Sequence, residues 1–281
     1  MDGIEEAFAK IRAQWLELPE FTVPGFGGLA EREENIRAAF QRDIPSLKSV
    51  EAHGGVCSVV AYGPSLNQSF PKLIEEVQAG NTVITVSGAH DFVISRGLIP
   101  DYHAEMDIRE RKVEFVRNSH PDVHYLIASV CHPAFWDVLG GRKVTMWHLG
   151  DLAGMDAIVR ELDPDAIMHP SAQCIGLNAL ILMHTLGFRT FMMHGFDCSY
   201  GEQGTHAGEH NGSFSEEGRM VVKCGDREFQ TRPEWVKYAQ NFMNDMVPRM
   251  PGCRFGVHGD GLMQHMLKEG LKEAEHGSAA A

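Results

Sequence analysis

"VVAYGPSLNQSF", residues 59–70, decides how this chain is to be read. A run of small apolar residues, Val56 to Ala61, stops at Gly63-Pro64-Ser65, and an amphipathic segment follows from Phe70 to Val77. A buried strand, a tight turn and a helix in that order make the first half of a βαβ unit. Gly63 lets backbone amides approach a phosphate. Ser65 and Asn67 sit where a side chain either caps the helix or donates to an anion at its positive end. The turn is neither a G-x-G-x-x-G nor a Walker loop, so both uses stay open.

The alternation continues outward. "VCSVVAYG", "NTVITVSG", "DYHAEMD", "VHYLIASV", "KVTMWHLG" and "FRTFMMHGFD" read as strands. "FPKLIEEVQ", "DFVISRG", "ERKVEFVRN", "PAFWDVL", "MDAIVREL" and "CIGLNALILMHTL" read as the helices between them. Strands apolar on both faces, alternating with helices, predict an α/β fold: a mainly parallel sheet with helices on both faces. Residues 4–18 and 31–48 read as two helices flanking the loop "PEFTVPGFGG". "MVVKCGDREFQT" reads as a hairpin turning at Gly225-Asp226, and "RPEWVKYAQNFMNDMVPRM" as a helix opened by Pro233. The expected organisation is an N-terminal helical extension (1–50), an α/β domain (51–215), a C-terminal hairpin and helices packed on it (216–270) and a disordered tail (271–281).

The formal net charge of −13 argues against a nucleic-acid surface, which needs a basic patch to release counterions. A phosphorylated ligand stays compatible with it where local amides, an Arg or a metal ion supply the positive field. Six cysteines without a C-x-x-C pair suit a reducing cytoplasm. "MDGIEEAFAK" lacks the apolar stretch of a signal peptide, and "CIGLNALILMHTLGF" is too short and polar to cross a bilayer. A cytoplasmic protein without a membrane span is expected.

Other strand ends carry ligand-type residues. "VSGAH" places Ser87 and Gly88 after the second strand, and "PDYHAEMD" ends the third in Asp107, a residue type that holds a ribose hydroxyl or Mg²⁺. "HGFD" ends a later strand in Asp197 and opens a long polar loop, unusual in a compact domain unless it is functional. In "GTHAGEH" His206 and His210 flank Glu209 and would share a helix face as zinc ligands. Gly204 and Gly208 favour a loop, and an acid–base or phosphate-binding role suits His206 better. His132 either faces the cleft or caps a helix. Ser171 reads as the N-cap of the helix after it, whose N-terminus is a second place for an anion. Met183, His184, Met192 and Met193 read as packing, and Cys198 as structural.

"GPSL", "SGAH", "GLIPDYHAEMD", "HP", "GLNALILMHTLGF" and "HGFDCSYGEQGTHA", in this order over residues 56 to 212, resemble the MptE-like family. That family includes archaeal 6-hydroxymethylpterin diphosphokinases and the central domain of Maf flagellin glycosyltransferases. The resemblance implies that residues 51–215 form a Rossmann-like domain that binds a nucleotide and transfers a group activated by it. It implies Gly63, Pro64, Ser65 and Ser87 around the nucleotide, with Asn67, Gly88 and Ser171 added from their places at the turns and helix starts, Asp107 and Asp197 as catalytic acids holding Mg²⁺, and His206 or an Asp orienting the nucleophile. Related sialyltransferases carry asparagines where Tyr62 and Asp107 stand here, and these departures favour metal-assisted phosphate chemistry. The leading expectation is therefore transfer of a diphosphoryl group from ATP to a hydroxymethyl acceptor such as a pterin, which the absence of Maf-type flanking regions also favours. The alternatives are transfer from a CMP-activated sugar to a glycan, kept open by the extra terminal helices, and a nucleotide-binding protein without chemistry.

Overall fold

The computed structural model describes residues 28–150, 154–202, 204–208 and 218–269. Strand β1, Val56–Val60, shows why the opening stretch carries no polar alternation. Cys57 and Val59 enter one apolar cluster and Val60 the other, so both faces of the strand are covered. The one polar residue, Ser58, is buried and donates its hydroxyl to Glu76 at 2.7 Å. Helix α1, Leu29–Phe40, precedes β1, and α2, Leu66–Gln78, follows it. Helix α2 starts one turn before the expected Phe70 and contains Pro71. Its Leu66 and Leu73 pack with Val60.

The chain then runs through β2 (Thr82–Val86), α3 (Ala89–Ile94), β3 (Tyr102–Glu105), a 3₁₀ segment (Glu110–Val116), β4 (His124–Ala128), α4 (Ala134–Val138), β5 (Lys143–Leu149), α5 (Met155–Leu162) and β6 (Met168–His169). Helix α6 (Ile175–Thr185) carries it back to β7 (Thr190–His194) on the other side of β1. A hairpin, β8 (Met220–Cys224) and β9 (Arg227–Thr231), turns at the expected Gly225-Asp226. Helix α7 (Pro233–Asn241) opens on Pro233 and continues through a π turn (Phe242–Met246) into α8 (Val247–Arg249). Strand β10 (Arg254–Val257) and a helix over residues 262–269, α9, complete the described chain.

Eight strands form one parallel sheet in the order β10-β7-β1-β2-β3-β4-β5-β6, the α/β class expected. Connections run outward from β1 through β2 to β6, then return to β7, so the direction reverses between β1 and β7. Val60 lies opposite both Thr85 of β2 and His194 of β7, so the carboxyl ends of the three central strands finish level. A sheet of this kind opens its ligand crevice there.

Three expectations change. The helix read over 31–48 stops at Phe40. Residues 45–47 instead extend along β5, with Leu47 N donating to Met146 O at 2.7 Å and Met146 N to Pro45 O at 2.9 Å. Proline supports an extended segment there and not a helix interior. "ERKVEFVRN" forms 3₁₀ turns and not an α-helix. The C-terminal segment does more than pack on the sheet, since β10 supplies an edge strand beside β7. Its "RFGV" carries a glycine and a charge and gives little strand signal. The helix read over 4–18 and the tail at 271–281 lie outside the described residues, and no described helix is long and apolar enough to cross a membrane.

An aromatic stack fixes β10 in place. Phe191 of β7, fully buried, stacks on Phe255 with centroids 5.6 Å apart, and Phe242 meets the same ring edge-on at 5.4 Å. Phe191→Ala is expected to lower unfolding free energy by about 3–5 kcal/mol in urea titration. A loss below about 1 kcal/mol would mean that this stack does not hold the edge strand.

Candidate active site

The first turn at the crevice is set by an acid from the neighbouring strand. Asp197, three residues past β7, reaches the N-terminus of α2, where the backbone N of Ser65 lies 3.3 Å from both carboxylate oxygens. The Ser65 hydroxyl donates to Asp197 Oδ2 at 2.9 Å and accepts from Gln264 Nε2 at 3.2 Å. A Cβ on Gly63 would lie 2.1 Å from Asp197 Oδ2 and 2.4 Å from the Gly195 carbonyl oxygen, so only glycine fits. The anion at the positive end of α2 is thus the protein's own carboxylate. Burial pushes the Asp197 carboxyl up to about 6, against the lowering effect of the bonds from Ser65 and Gln264.

The same device recurs one strand over. Glu105, at the end of β3, accepts the backbone N of Ser87 at 2.9 Å, and burial drives this carboxyl well above its ordinary range. Ser87 and Cys198 hold left-handed backbone conformations, φ 49° and 50°, as does Gln173, φ 68°, just before α6. These are the non-glycine residues with positive φ among those described, and all three sit at the carboxyl edge of the central strands. Such strain persists where the surroundings over-determine it, commonly at functional sites.

Between these turns lies a crevice of about 260 Å³. Ala61, Tyr62, Gly63 and Pro64 form one wall and Val86 and Ser87 the next; Cys174, Ile175 and Gly176, at the start of α6, form a third. Gly195 to Ser199, Thr205 and His206, and Trp235 and Tyr238 of α7 close it. Nδ1 of His206 lies 2.7 Å from the Thr205 hydroxyl, and its ring sits 5.4 Å from that of Tyr62. The crevice is aromatic on several sides, offers one imidazole, and receives the N-terminus of an eleven-residue helix.

Of the residues singled out in the sequence, Gly63, Pro64, Ser87, Asp197 and His206 line this crevice. Ser65 stands just behind it, bonded to Asp197. Asn67 ties the loop to α2 by donating Nδ2 to the Ala207 carbonyl at 2.5 Å, and Gly88 packs against the Tyr62 ring. Asp107 is off the crevice lining and held by Arg109, whose Nε donates to Oδ1 at 2.8 Å and whose Nη2 meets Oδ2. Ser171 is not the N-cap of α6; Cys174 is, and Asn178 holds the preceding turn by accepting from Ala172 N and donating to Pro170 O. His132 accepts the Ala134 amide at 3.3 Å, the capping use. Met183 and Met193 are buried in the core. Burial drives the Cys198 thiol well above its ordinary range, which suits an inert side chain. Glu209 and His210 lie outside the described residues.

Mg²⁺, expected on Asp107 and Asp197, does not fit these two side chains. One is held by a guanidinium, and the other is turned onto a helix terminus, where the Ser65 amide and hydroxyl occupy its oxygens. Sequence reading missed Glu105, Trp235 and Tyr238. The only signal for the aromatic pair was a Pro-capped helix, and Glu105 was hidden inside a strand.

A family model described as 6-hydroxymethylpterin diphosphokinase MptE-like matches residues 32–203. No curated protein matches the chain in sequence. Among solved structures the fold is similar to that of a Maf glycosyltransferase from Magnetospirillum magneticum AMB-1, with a TM-score of 0.60 and 14% identity, over 90% of this chain and 43% of that one. The chain therefore spans under half the length of that protein. A mammalian sialyltransferase in complex with Gal-beta-1-3GalNAc-ortho-nitrophenol gives a TM-score of 0.45 at 11% identity, over 92% of this chain and 87% of that one. A second mammalian sialyltransferase structure gives 0.43 at 14%, over 89% and 86%.

The folded pKa of Asp197, about 6, lies above its ordinary 3.8, so the folded state binds this proton more tightly. The burden of the buried charge is full above pH 6 and is relieved as pH falls towards 4, by roughly 3 kcal/mol in total. The difference in unfolding free energy between wild type and Asp197→Asn should therefore grow in favour of wild type from pH 7 to pH 4. Carboxyl carbon NMR should place the Asp197 midpoint near 6; a midpoint below 4 would mean that the bonds from Ser65 outweigh burial and would reverse the expected pH trend.

Proposed function

The chain belongs to the MptE-like family, and on that premise we propose that it is a nucleotide-dependent transferase whose donor is a nucleotide-activated sugar bound where β1 and β7 part. The observation that carries this reading is the crevice itself: an aromatic-walled cleft at the switch point, entered by the N-terminus of α6. The amide end of α6, at Ile175 and Gly176, suits the donor phosphate, and the rings of Tyr62, Trp235 and Tyr238 suit the base or sugar. The amide end of α2 is taken by Asp197, so the phosphate belongs at α6.

In such a transfer the bond between the sugar carbon and the phosphate oxygen breaks, and the phosphate keeps the electron pair. Backbone amides aimed at that developing charge lower the barrier without a metal ion. The acceptor hydroxyl oxygen bonds to the sugar carbon, and its proton passes to His206, the imidazole on the crevice wall. The acceptor in this reading is a hydroxyl group, as the transfer of a glycosyl unit requires. Diphosphoryl transfer from ATP to a pterin alcohol is the second reading, favoured by the description of the family model. It requires a Mg²⁺ arrangement that Asp107 and Asp197 do not form, and no step is assigned to it.

A thermal-shift screen separates the two. A cytidine monophosphate should raise the melting temperature without Mg²⁺, because a ligand that binds only the folded state stabilises it by mass action. Stabilisation by ATP alone, and only with Mg²⁺, would transfer the assignment to diphosphoryl transfer. His206→Ala should slow turnover about 10²–10⁴-fold while leaving nucleotide affinity within a few-fold.

A further inference from the structure

Behind α2, off the crevice lining, three side chains from three elements converge. Glu76 of α2 directs one carboxylate oxygen to His194 Nε2 at 2.9 Å and the other to His258 Nε2 at 2.7 Å. The two rings lie 4.6 Å apart and within 30° of parallel. One ligand atom from each residue falls within 4.8 Å of the others, and this is the one such group of three among the described residues. Glu76 is held in turn by the Ser58 hydroxyl, at 2.7 Å, which accepts from Asn81 Nδ2 at 3.0 Å. His194 is fully buried, whereas the His258 side chain is 23% exposed and gives the cluster a way to solvent.

We propose that Glu76, His194 and His258 form a mononuclear site for a borderline divalent transition metal of the zinc class, tying β7, α2 and the segment after β10 together. Two imidazole nitrogens and one carboxylate suit Zn²⁺ or Co²⁺ and do not suit Mg²⁺ or Ca²⁺, which take all-oxygen sets. Each imidazole offers Nε2 as a lone pair once its proton sits on Nδ1, so the metal replaces two N–H···O bonds with three coordinate bonds. The bonds from Ser58 and Asn81 orient the carboxylate, as outer partners do around metal ligands. The exposed side of His258 leaves a fourth position for water.

The test loads untagged, chelator-stripped full chain with Co²⁺. One ion should bind per chain with the intense visible bands of four-coordinate Co²⁺, and Zn²⁺ should bleach them by displacement. Zn²⁺ should raise the melting temperature while equimolar Mg²⁺ leaves it unchanged. His258→Ala removes the most exposed ligand, and Glu76→Gln keeps the size of the buried side chain. Either folded variant should lose stoichiometric binding and the bands. Binding well below one ion per chain in wild type, octahedral-type weak bands, or full binding in a folded variant would overturn the proposal.

Discussion

The carboxylate of Asp197 on the amide end of α2 is the contact from which the carboxyl edge of the sheet is built. A buried carboxylate without donors is several kcal/mol unfavourable, so its place is restricted to where donors converge. Here the donors are the Ser65 amide and hydroxyl. The acid reaches them only because Gly63 has no Cβ and because Gly195, with φ +69°, turns the chain against the Ala61 carbonyl. One interaction therefore constrains residues 63, 65, 195 and 197, which belong to two distant stretches of sequence. Glu105 and Ser87 repeat the arrangement between β3 and β2. In both cases an acid at or just past the end of one strand caps the turn after its neighbour, and this locks the relative height of the strands at their carboxyl edge.

This arrangement separates a helix terminus that carries an acid from one that does not. The Ser65 amide just before α2 is occupied from within, and the next two return to carbonyls of their own turn: Leu66 N to Gly63 O and Asn67 N to Pro64 O. The opening turn of α6 carries no acid and lies on the crevice wall. For a chain of net charge −13, binding an anion depends on such a local field. The strained backbone at Gln173 directly precedes that terminus, so its aim is fixed by the fold before any ligand arrives.

The sequence made the sheet legible because strand identity is local. Five or six apolar residues, a small-residue turn and an amphipathic run repeat often enough to declare a parallel α/β fold, and the switch-point rule places its crevice. Which acid serves which turn is not local. Asp107 looks like a ligand by position, yet Arg109 two residues on takes it. Asp197 looks like a ligand too, and instead caps a helix 132 residues earlier in the chain. Glu105 left no mark, since in sequence its strand reads on for two more residues, to Asp107. Glu76, His194 and His258 were equally silent, because residues separated by 118 and 182 positions form no spacing motif.

The family match ends at residue 203, yet part of the crevice and its support lies beyond that point. Trp235 and Tyr238 contribute crevice wall from α7. Gln264 of α9 donates to Ser65 Oγ at 3.2 Å and lies 3.4 Å from the His258 carbonyl, so the C-terminal segment touches the Asp197 cap and the histidine cluster at once. The matched region supplies β1 to β7, the turns at Gly63 and Ser87 and helix α6, while β10 comes from the part that follows. That part also adds the rings of Trp235 and Tyr238 to a crevice whose Tyr62 belongs to the matched region. The crevice wall formed by Trp235 and Tyr238 therefore lies outside the stretch that family membership covers, although it is built onto the fold that membership does cover.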